Sequence, residues 1–207
     1  DIAHWMRPGT LRLSSLPPLS LYVHLPWCLR KCPYCDFNSH EKKGEMPEEE
    51  YCNALLRDLE LSLPLVWGRT VQTVFIGGGT PSLFSPASID RLLTMIRSRL
   101  RLVAGAEITM EANPGTFEAQ RFRDFAAAGV NRLSIGVQSF SDRALEEIGR
   151  VHDAAQASAA VDLAASVFGT FNVDLMYALP GQSLADAQAD LSEALQRGAP
   201  HLSCYLL

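Results

Sequence analysis

The chain has 207 residues, 47% of them hydrophobic and 20% charged, so it can bury one sizeable core by itself. This composition excludes an intrinsically disordered or a fibrous protein. The formal net charge of −5, from 18 basic and 23 acidic side chains, gives no general electrostatic attraction to nucleic acid or anionic lipid.

The first residues carry no targeting or membrane signal. The run between Leu11 and Leu25 is interrupted by an arginine, three serines and two prolines, and no stretch reaches the ~18 consecutive apolar residues of a membrane helix. We interpret residues 1–20 as an N-terminal extension and residues 21–207 as one domain. Because the chain begins with Asp1 rather than Met and ends inside a predicted strand, we expect a fragment of a longer protein.

Six apolar, β-branched segments predict strands that alternate with helices. The strands are expected to begin near Leu21, Val71, Ala106, Arg132, Phe171 and His201. The helices between them are marked by residues that favour helix starts, such as a capping serine, a first-turn proline or first-turn acids. These signals stand at Pro47, Ser85-Pro86, Thr116 and Ser183, and the helix from Thr116 to Ala128 is expected to end at Gly129.

This alternation predicts an α/β protein with a parallel sheet, because successive right-handed strand–helix–strand units place their strands side by side in one direction. Either a doubly wound sheet or a barrel fits the pattern. In both folds the ligand lies where strands end and helices begin.

Five cysteines, an odd number in a chain of this size, favour a reducing compartment. Cys28, Cys32 and Cys35 lie within eight residues after the first strand, so three thiolates can meet in one loop. An iron–sulfur cluster, a zinc site and a redox function all fit this spacing, and His24 or His40 is a possible further ligand for zinc. We favour the cluster because structural zinc usually takes four closed ligands. We interpret the two remaining cysteines, Cys52 and Cys204, as core residues.

Polar or glycine-rich residues follow the next strands in turn. The segment from Gly77 to Thr80 allows close backbone approach to a ligand, although a tight turn is the alternative. Glu111 can accept hydrogen bonds from a ribose diol, or it is a solvated loop acid. Gln138 can both donate and accept.

Two charged residues complete this series. Asp174 lies within an apolar strand, where a charge needs a partner. Arg150 can bind a carboxylate bidentately, although a surface salt bridge is the commoner arrangement. Because all these groups reach one rim beside three cysteines, we predict a bound small molecule there.

The CxxxCxxC spacing, with Tyr34 before its last cysteine, resembles the signature of the radical S-adenosylmethionine (SAM) superfamily. Further segments resemble, more narrowly, the HemN/HemW group of that superfamily. They are LYVHLPWC (21–28), CDFNSH (35–40), EANP (111–114), NRLSIGVQSF (131–140), residues 145–152 and DLMYALPGQ (174–182). The resemblance runs from Leu21 to the end of the chain.

This resemblance implies an open, parallel (β/α)6 three-quarter barrel in which residues 21–207 form the radical SAM core domain. It implies a 4Fe–4S cluster on Cys28, Cys32 and Cys35, with SAM bound to the fourth iron. The implied SAM contacts are Tyr34 at the adenine, Tyr22 at the methionine end, Gly78, Gly79 and Thr80 at the amino group, Glu111 at the ribose, and Gln138, Arg150 and Asp174 at the remaining polar edges.

The group contains oxygen-independent coproporphyrinogen dehydrogenases and haem chaperones. The dehydrogenases carry another cysteine two positions after the third cluster ligand, where this chain has Phe37. The resemblance therefore implies a haem chaperone that binds the cluster, SAM and haem and delivers haem to an acceptor protein. The alternatives are a coproporphyrinogen III dehydrogenase of porphyrin biosynthesis, which uses a 5′-deoxyadenosyl radical, and a zinc-stabilised structural module. We expect a cytoplasmic protein with neither a nucleic-acid partner nor a membrane span of its own.

Overall fold

The computed structural model describes residues 14–116 and 119–207, together with residues 4, 7, 9 and 10. Part of the predicted extension and residues 117 and 118 of the third predicted helix therefore lie outside the described residues. The strands are β1 (Leu19–Leu25), β2 (Trp27–Cys28), β3 (His40–Glu41), β4 (Thr70–Gly78), β5 (Arg101–Ala112), β6 (Arg132–Gln138), β7 (Thr170–Tyr177) and β8 (His201–Leu206). The helices are α1 (Glu48–Val66), α2 (Pro86–Arg99), α3 (Ala119–Ala128), α4 (Asp142–Glu147), α5 (Ala154–Val167) and α6 (Leu184–Gln196).

Six strands form one parallel sheet in the order β1-β4-β5-β6-β7-β8, and β2 and β3 form a small separate pair. The order runs along the chain without a reversal, whereas a doubly wound sheet reverses its strand order at a switch point. Right-handed crossovers then place the connecting helices on one face of the sheet, as in a barrel. With β1 and β8 at its two edges, the sheet is the predicted open (β/α)6 arrangement.

The two faces of the sheet differ in chemistry. One face packs its apolar side chains against the helices to form the main core, which includes Leu25, Ile76, Leu133, Val173, Ile89 and Phe122. The other face carries polar residues in register across neighbouring strands: Glu111 pairs with Ser134, Ser134 with Asn172, and Gly136 with Asp174. Most parallel sheets are apolar on both faces, so this polar face marks a surface that is suited to ligand binding.

The helix starts agree well with the sequence signals. Ser85 accepts a hydrogen bond from the backbone N–H of Ser88 at the start of α2, and Ser183 forms a capping box with Asp186 at the start of α6. α3 ends before Gly129, which has a φ of +107°. Strand β5 begins at Arg101, five residues before the predicted start.

The prediction that Cys52 and Cys204 are both core residues is half wrong. Cys52 is buried on α1, but Cys204 is exposed. The reason is that β8 is an edge strand, so apolar neighbours in the sequence do not guarantee burial. Among the described residues, no helix is long and apolar enough to cross a membrane.

Candidate functional site

One cleft at the carboxyl-terminal edge of the sheet gathers nearly all the predicted site residues. It is lined by Cys28, Cys32, Tyr34, Cys35, Gly78, Gly79, Thr80, Glu111, Gln138, Arg150 and Asp174. These residues come from the ends of β4, β5 and β6, from the middle of β7 and from the loops after β1 and α4. Parallel strands bring their carboxyl ends to one edge, which explains how residues so distant in sequence meet.

The cysteine loop, residues 28–39, is closed by its own hydrogen bonds. Its base is the short β2–β3 pair, and within the loop the Cys35 N–H donates to Cys32 O at 3.1 Å. The Lys31 ammonium donates to Phe37 O at 3.0 Å and to Ser39 O at 3.2 Å. All five cysteines of the chain are free thiols. The loop therefore holds its three cysteines without a disulfide.

The cysteine loop is also anchored to the opposite side of the cleft. Tyr34 packs against a small apolar cluster formed by Ala144, Ile148, Met176 and Leu179. Beside it, a Cβ atom added to Gly149 would lie 2.9 Å from Cδ of Pro33, and Gly149 has a φ of +72°. A residue with no side chain is thus required where the loop meets the end of α4.

Polar groups surround the three thiols. The Arg150 guanidinium donates to Cys32 Sγ at 3.6 Å, and the Cys35 Sγ lies 3.7 Å from Ser39 Oγ. Burial raises the pKa of the Cys28 thiol, while hydrogen bonds from Thr80 and Ser39 act in the opposite direction. Since such donors stabilise thiolates, the loop is suited to binding metal through sulfur.

The glycine-rich segment at the end of β4 lies directly against the base of the cysteine loop. The Gly79 N–H donates to Leu25 O at 2.9 Å and the Thr80 N–H donates to Trp27 O at 2.7 Å. A Cβ atom on Gly79 would lie only 2.6 Å from Trp27 O, and Gly78 has a φ of +124°. The glycines therefore permit close approach of two backbone segments, and this contact fixes the cysteine loop relative to the sheet.

Two partly buried carboxylates lie on the polar face below the loop. Glu111 accepts a hydrogen bond from the Gly78 N–H at 2.9 Å. Burial, together with the charge of Asp174, raises the pKa of Glu111 to about 7. Asp174 accepts hydrogen bonds from Ser134 at 3.0 Å and from Asn172 at 2.8 Å, and burial raises its pKa. We expect a partner for Asp174 because it is a charged residue in an apolar strand. The neutral side chains of Ser134 and Asn172 fill that role.

One guanidinium nitrogen of Arg150 is bound by two oxygen atoms, and the other contacts the cysteine loop. Its Nη2 donates to Asn113 Oδ1 at 2.9 Å and to Gly136 O at 2.6 Å, and its Nη1 lies 3.4 Å from Tyr34 Oη. Within the part of the chain that the structure describes, the Arg150 Nε–H is buried and has no hydrogen-bond partner. Burial of the Tyr34 phenol raises its pKa to about 12, although the nearby guanidinium acts to lower it.

Gln138 has an uncommon backbone conformation. Its φ is +70°, and the pairing of β6 with β7 shifts register beside it. The next two residues are fixed by the buried Asp190 of α6, which accepts hydrogen bonds from Ser139 Oγ and from the Phe140 N–H, both at 2.7 Å. Backbone strain of this kind is often found at functional sites and needs surrounding structure to hold it.

Two residues beside the site, His152 and Asn113, were not predicted from the sequence. His152 is buried between Asn113 Oδ1, at 3.2 Å from its Nδ1, and Val137 O, at 3.0 Å from its Nε2. Burial and the charge of Arg150 lower the pKa of His152 to about 4, so the ring is neutral at pH 7. Asn113 lies in the EANP segment and His152 ends the segment 145–152, and both segments carry the family resemblance. Their positions in these motifs are the signal by which the sequence analysis could have found them.

Tyr22 lies outside the residues that line the cleft. Its ring is 56% exposed, is stacked on Phe75 at 6.1 Å and approaches Gly77, while its hydroxyl lies 2.9 Å from His24 Nδ1. The other ring nitrogen of His24 lies 2.8 Å from Asn38 O. Both nitrogens of His24 therefore face other groups, and His40 is exposed on β3, also outside the cleft lining.

The profile of the radical SAM superfamily matches residues 22–194. The chain belongs to the radical SAM superfamily. Membership implies a 4Fe–4S cluster and SAM. The chain is 56% identical over 193 residues to a protein named "Heme chaperone HemW" from Escherichia coli (strain K12), which covers 93% of this chain and 51% of that protein.

Two further comparisons agree with this assignment. The chain is 40% identical to the mouse protein "Radical S-adenosyl methionine domain-containing protein 1, mitochondrial", with 91% of this radical SAM chain and 42% of the mouse protein covered. The solved structure of coproporphyrinogen III oxidase (HemN) from Escherichia coli superposes with a TM-score of 0.83 at 33% identity, covering 91% of this chain and 44% of that one. The chain thus spans about half the length of the curated relatives that it matches.

Proposed function

We propose that this radical SAM chain is the cofactor-binding part of a haem chaperone that binds a 4Fe–4S cluster and SAM and delivers haem to an acceptor protein. One observation carries the proposal: three free thiols share a cleft with strand-end polar groups and with a buried Arg150 Nε–H that lacks a partner among the described residues. A buried polar atom without a partner is unfavourable, and a bound acceptor removes that cost.

The donor set fits a cluster better than a single zinc ion. Zinc draws its ligands to about 2.0–2.3 Å from one point, whereas the cysteines of a cluster bind different irons. Among the residues that the structure describes, no three His, Cys, Asp or Glu side chains converge closely enough to hold one ion. The cleft arrangement and the engaged ring of His24 both argue against the zinc-stabilised module.

Each residue has a role in this proposal. Cys28, Cys32 and Cys35 hold the cluster, and when bound, cluster and SAM supply one-electron reductive chemistry at the sulfonium. Gly78, Gly79 and Thr80 bind the amino group of SAM, Glu111 binds the ribose, Tyr34 packs near the adenine, and Gln138, Arg150 and Asp174 bind the remaining polar edges. Tyr22 binds near the methionine end, on the same face beside Gly77. Residues 21–207 form the core domain in this proposal, after an extension of residues 1–20.

The haem-chaperone assignment is supported by the names of the most similar relatives and by Phe37. This residue stands where the dehydrogenases carry a further cysteine, and its side chain is 61% exposed at the cleft. We place the protein in the cytoplasm, because a site built from free thiols requires a reducing compartment. The haem ligand and the acceptor-binding surface belong, in this proposal, to the full-length protein.

The second candidate is a coproporphyrinogen III dehydrogenase, which the structural likeness to HemN favours. The two functions share the cluster and SAM and differ in whether cofactor turnover is coupled to porphyrinogen oxidation. The full-length protein is expected to bind added haem. In a separate incubation with reductant, SAM and porphyrinogen, it is expected to form no methionine and 5′-deoxyadenosine in step with porphyrinogen oxidation. Products formed in step with porphyrinogen oxidation would instead establish the dehydrogenase.

The cofactor site is tested by low-temperature electron paramagnetic resonance of anaerobically reconstituted, dithionite-reduced protein. We expect a cluster signal that changes when SAM is added. The Cys32→Ala variant is expected to lose iron and colour, while Cys204→Ala, which removes an exposed thiol on β8, keeps both. A cluster signal that does not change when SAM is added would refute the assigned SAM contacts. Colourless protein with one zinc per chain would instead support the zinc-stabilised structural module.

A further inference from the structure

Arg150 makes a contact that recognition of SAM does not require. Its Nη1 donates to the sulfur of Cys32 at 3.6 Å, across 118 residues of sequence. Cys32 is one of the three thiols that the proposed function assigns to the cluster. A cationic donor beside a cluster ligand acts on the electron density of that sulfur, whatever else is bound in the cleft.

The guanidinium is fixed from the opposite side. Its Nη2 donates to Asn113 Oδ1 at 2.9 Å and to Gly136 O at 2.6 Å. Asn113 in turn is flanked by the buried, neutral ring of His152, 3.2 Å away. No carboxylate of the described residues forms an ion pair with Arg150, so no salt bridge neutralises the positive charge that lies beside Cys32.

We propose that Arg150 sets the reduction potential of the cluster by donating an N–H to Cys32 Sγ, and that Asn113 is the positioning residue that holds the guanidinium for this contact. The inference rests on the proposed function, since it requires Cys32 to be a cluster ligand. Hydrogen bonds to cluster sulfurs and nearby charge are among the factors that set such potentials. Reduction adds one negative charge to the cluster, so a nearby cation stabilises the reduced form and raises the potential.

The test is an anaerobic titration of the reconstituted protein, followed by electron paramagnetic resonance, with dithionite as the one-electron donor. It is done without SAM, so that loss of a SAM contact does not enter the result. For Arg150→Gln we expect about a tenfold smaller ratio of reduced to oxidised cluster at a fixed potential, equal to a downward shift of about 59 mV for one electron. Arg150→Lys keeps the positive charge but cannot contact Cys32 and Asn113 at the same time. We expect its reduction potential to shift less than that of Arg150→Gln.

Two more variants separate this effect from general disturbance. Arg143→Gln removes an exposed guanidinium on the neighbouring helix α4, where it contacts Glu147 and Gly181 O, and should leave the potential unchanged. Asn113→Ala should lower the potential in the same direction as Arg150→Gln, because Arg150 loses one of its fixed partners.

The outcomes distinguish this inference from the proposed function. A wild-type protein that takes up no cluster refutes the proposed function itself. Wild-type and Arg150→Gln proteins with equal iron content and equal potentials refute the role of Arg150 alone. If Arg150→Gln takes up no iron, the Arg150→Lys and Asn113→Ala variants decide, and unchanged potentials in both overturn the inference.

Discussion

Glu111 shows how one residue of the polar face depends on its surroundings. It lies partly buried near a second carboxylate, Asp174, and it accepts a hydrogen bond from the backbone N–H of Gly78. Burial disfavours the ionised form more than this hydrogen bond favours it, and the pKa is raised to about 7. A substantial fraction of Glu111 is therefore protonated at neutral pH.

This pKa shift predicts a specific dependence of stability on pH. The folded-state pKa lies above the ordinary value of 4.5, so the contribution of Glu111 to stability is complete below about pH 4.5 and is lost as the pH rises through 7. Glu111→Gln should remove that loss. Between pH 5 and pH 8 the free energy of unfolding of the variant should fall by about 2–3 kcal/mol less than that of the wild type.

Urea unfolding at the two pH values, without added SAM, measures this difference. Glu146→Gln is the matched control, because Glu146 is exposed on α4 and should follow the wild-type pH profile. Parallel profiles for wild type and Glu111→Gln would show that Glu111 has no raised pKa in the folded protein.

Two glycine contacts hold the cysteine loop in place. Gly79 lies against the base of the loop at Trp27 O, and Gly149 lies against Pro33 near its middle. Tyr34 adds an apolar anchor between these contacts and the end of β7. Because the loop has little regular structure of its own, these contacts decide where its three thiols stand.

Replacement of Gly149 tests this docking. Gly149→Ala places a Cβ atom 2.9 Å from Pro33 Cδ in a backbone with φ of +72°. Gly198→Ala has nearly the same φ, +74°, but no atom within 4 Å of the new Cβ. Both variants should lose about 1 kcal/mol of stability from the left-handed backbone, and Gly149→Ala should lose about 1–3 kcal/mol more from overpacking.

Thermal or urea unfolding compares the two variants, and iron analysis after reconstitution reports on the loop. We expect iron content to fall in Gly149→Ala and to stay at the wild-type level in Gly198→Ala. Equal stability losses and equal iron contents would mean that the loop is not positioned by its contact with Gly149.

Regular elements and strand-end residues were predictable from the sequence because both arise from local patterns. Alternating strands and helices required a parallel sheet, and a parallel sheet required Glu111, Gln138 and Asp174 to meet at one edge. The contact of Arg150 with Cys32 was not predictable from local patterns, since it joins residues 118 positions apart. The same limit explains Cys204, whose exposure depends on the position of β8 in the sheet.

Within the described residues, the sheet ends at β1 on one side and at β8 on the other, and one of its faces is polar. The strand order ends at β1 and at β8, so the backbone groups on the outer side of β8 have no partner strand among the described residues. Tyr205 and Leu206 on this strand are 54% and 65% exposed. Exposed edge strands with apolar side chains are prone to pair with another chain.

We therefore predict that the 207-residue chain self-associates through β8 at high concentration. Leu206→Lys should lower the fraction of associated chain in sedimentation velocity, because a charged residue on an edge strand opposes strand pairing. Leu61→Lys is the matched control: Leu61 is 80% exposed, but it lies on helix α1 rather than on a strand edge. If the two substitutions reduce association equally, general surface apolarity drives it, and if neither does, the β8 edge is not the contact.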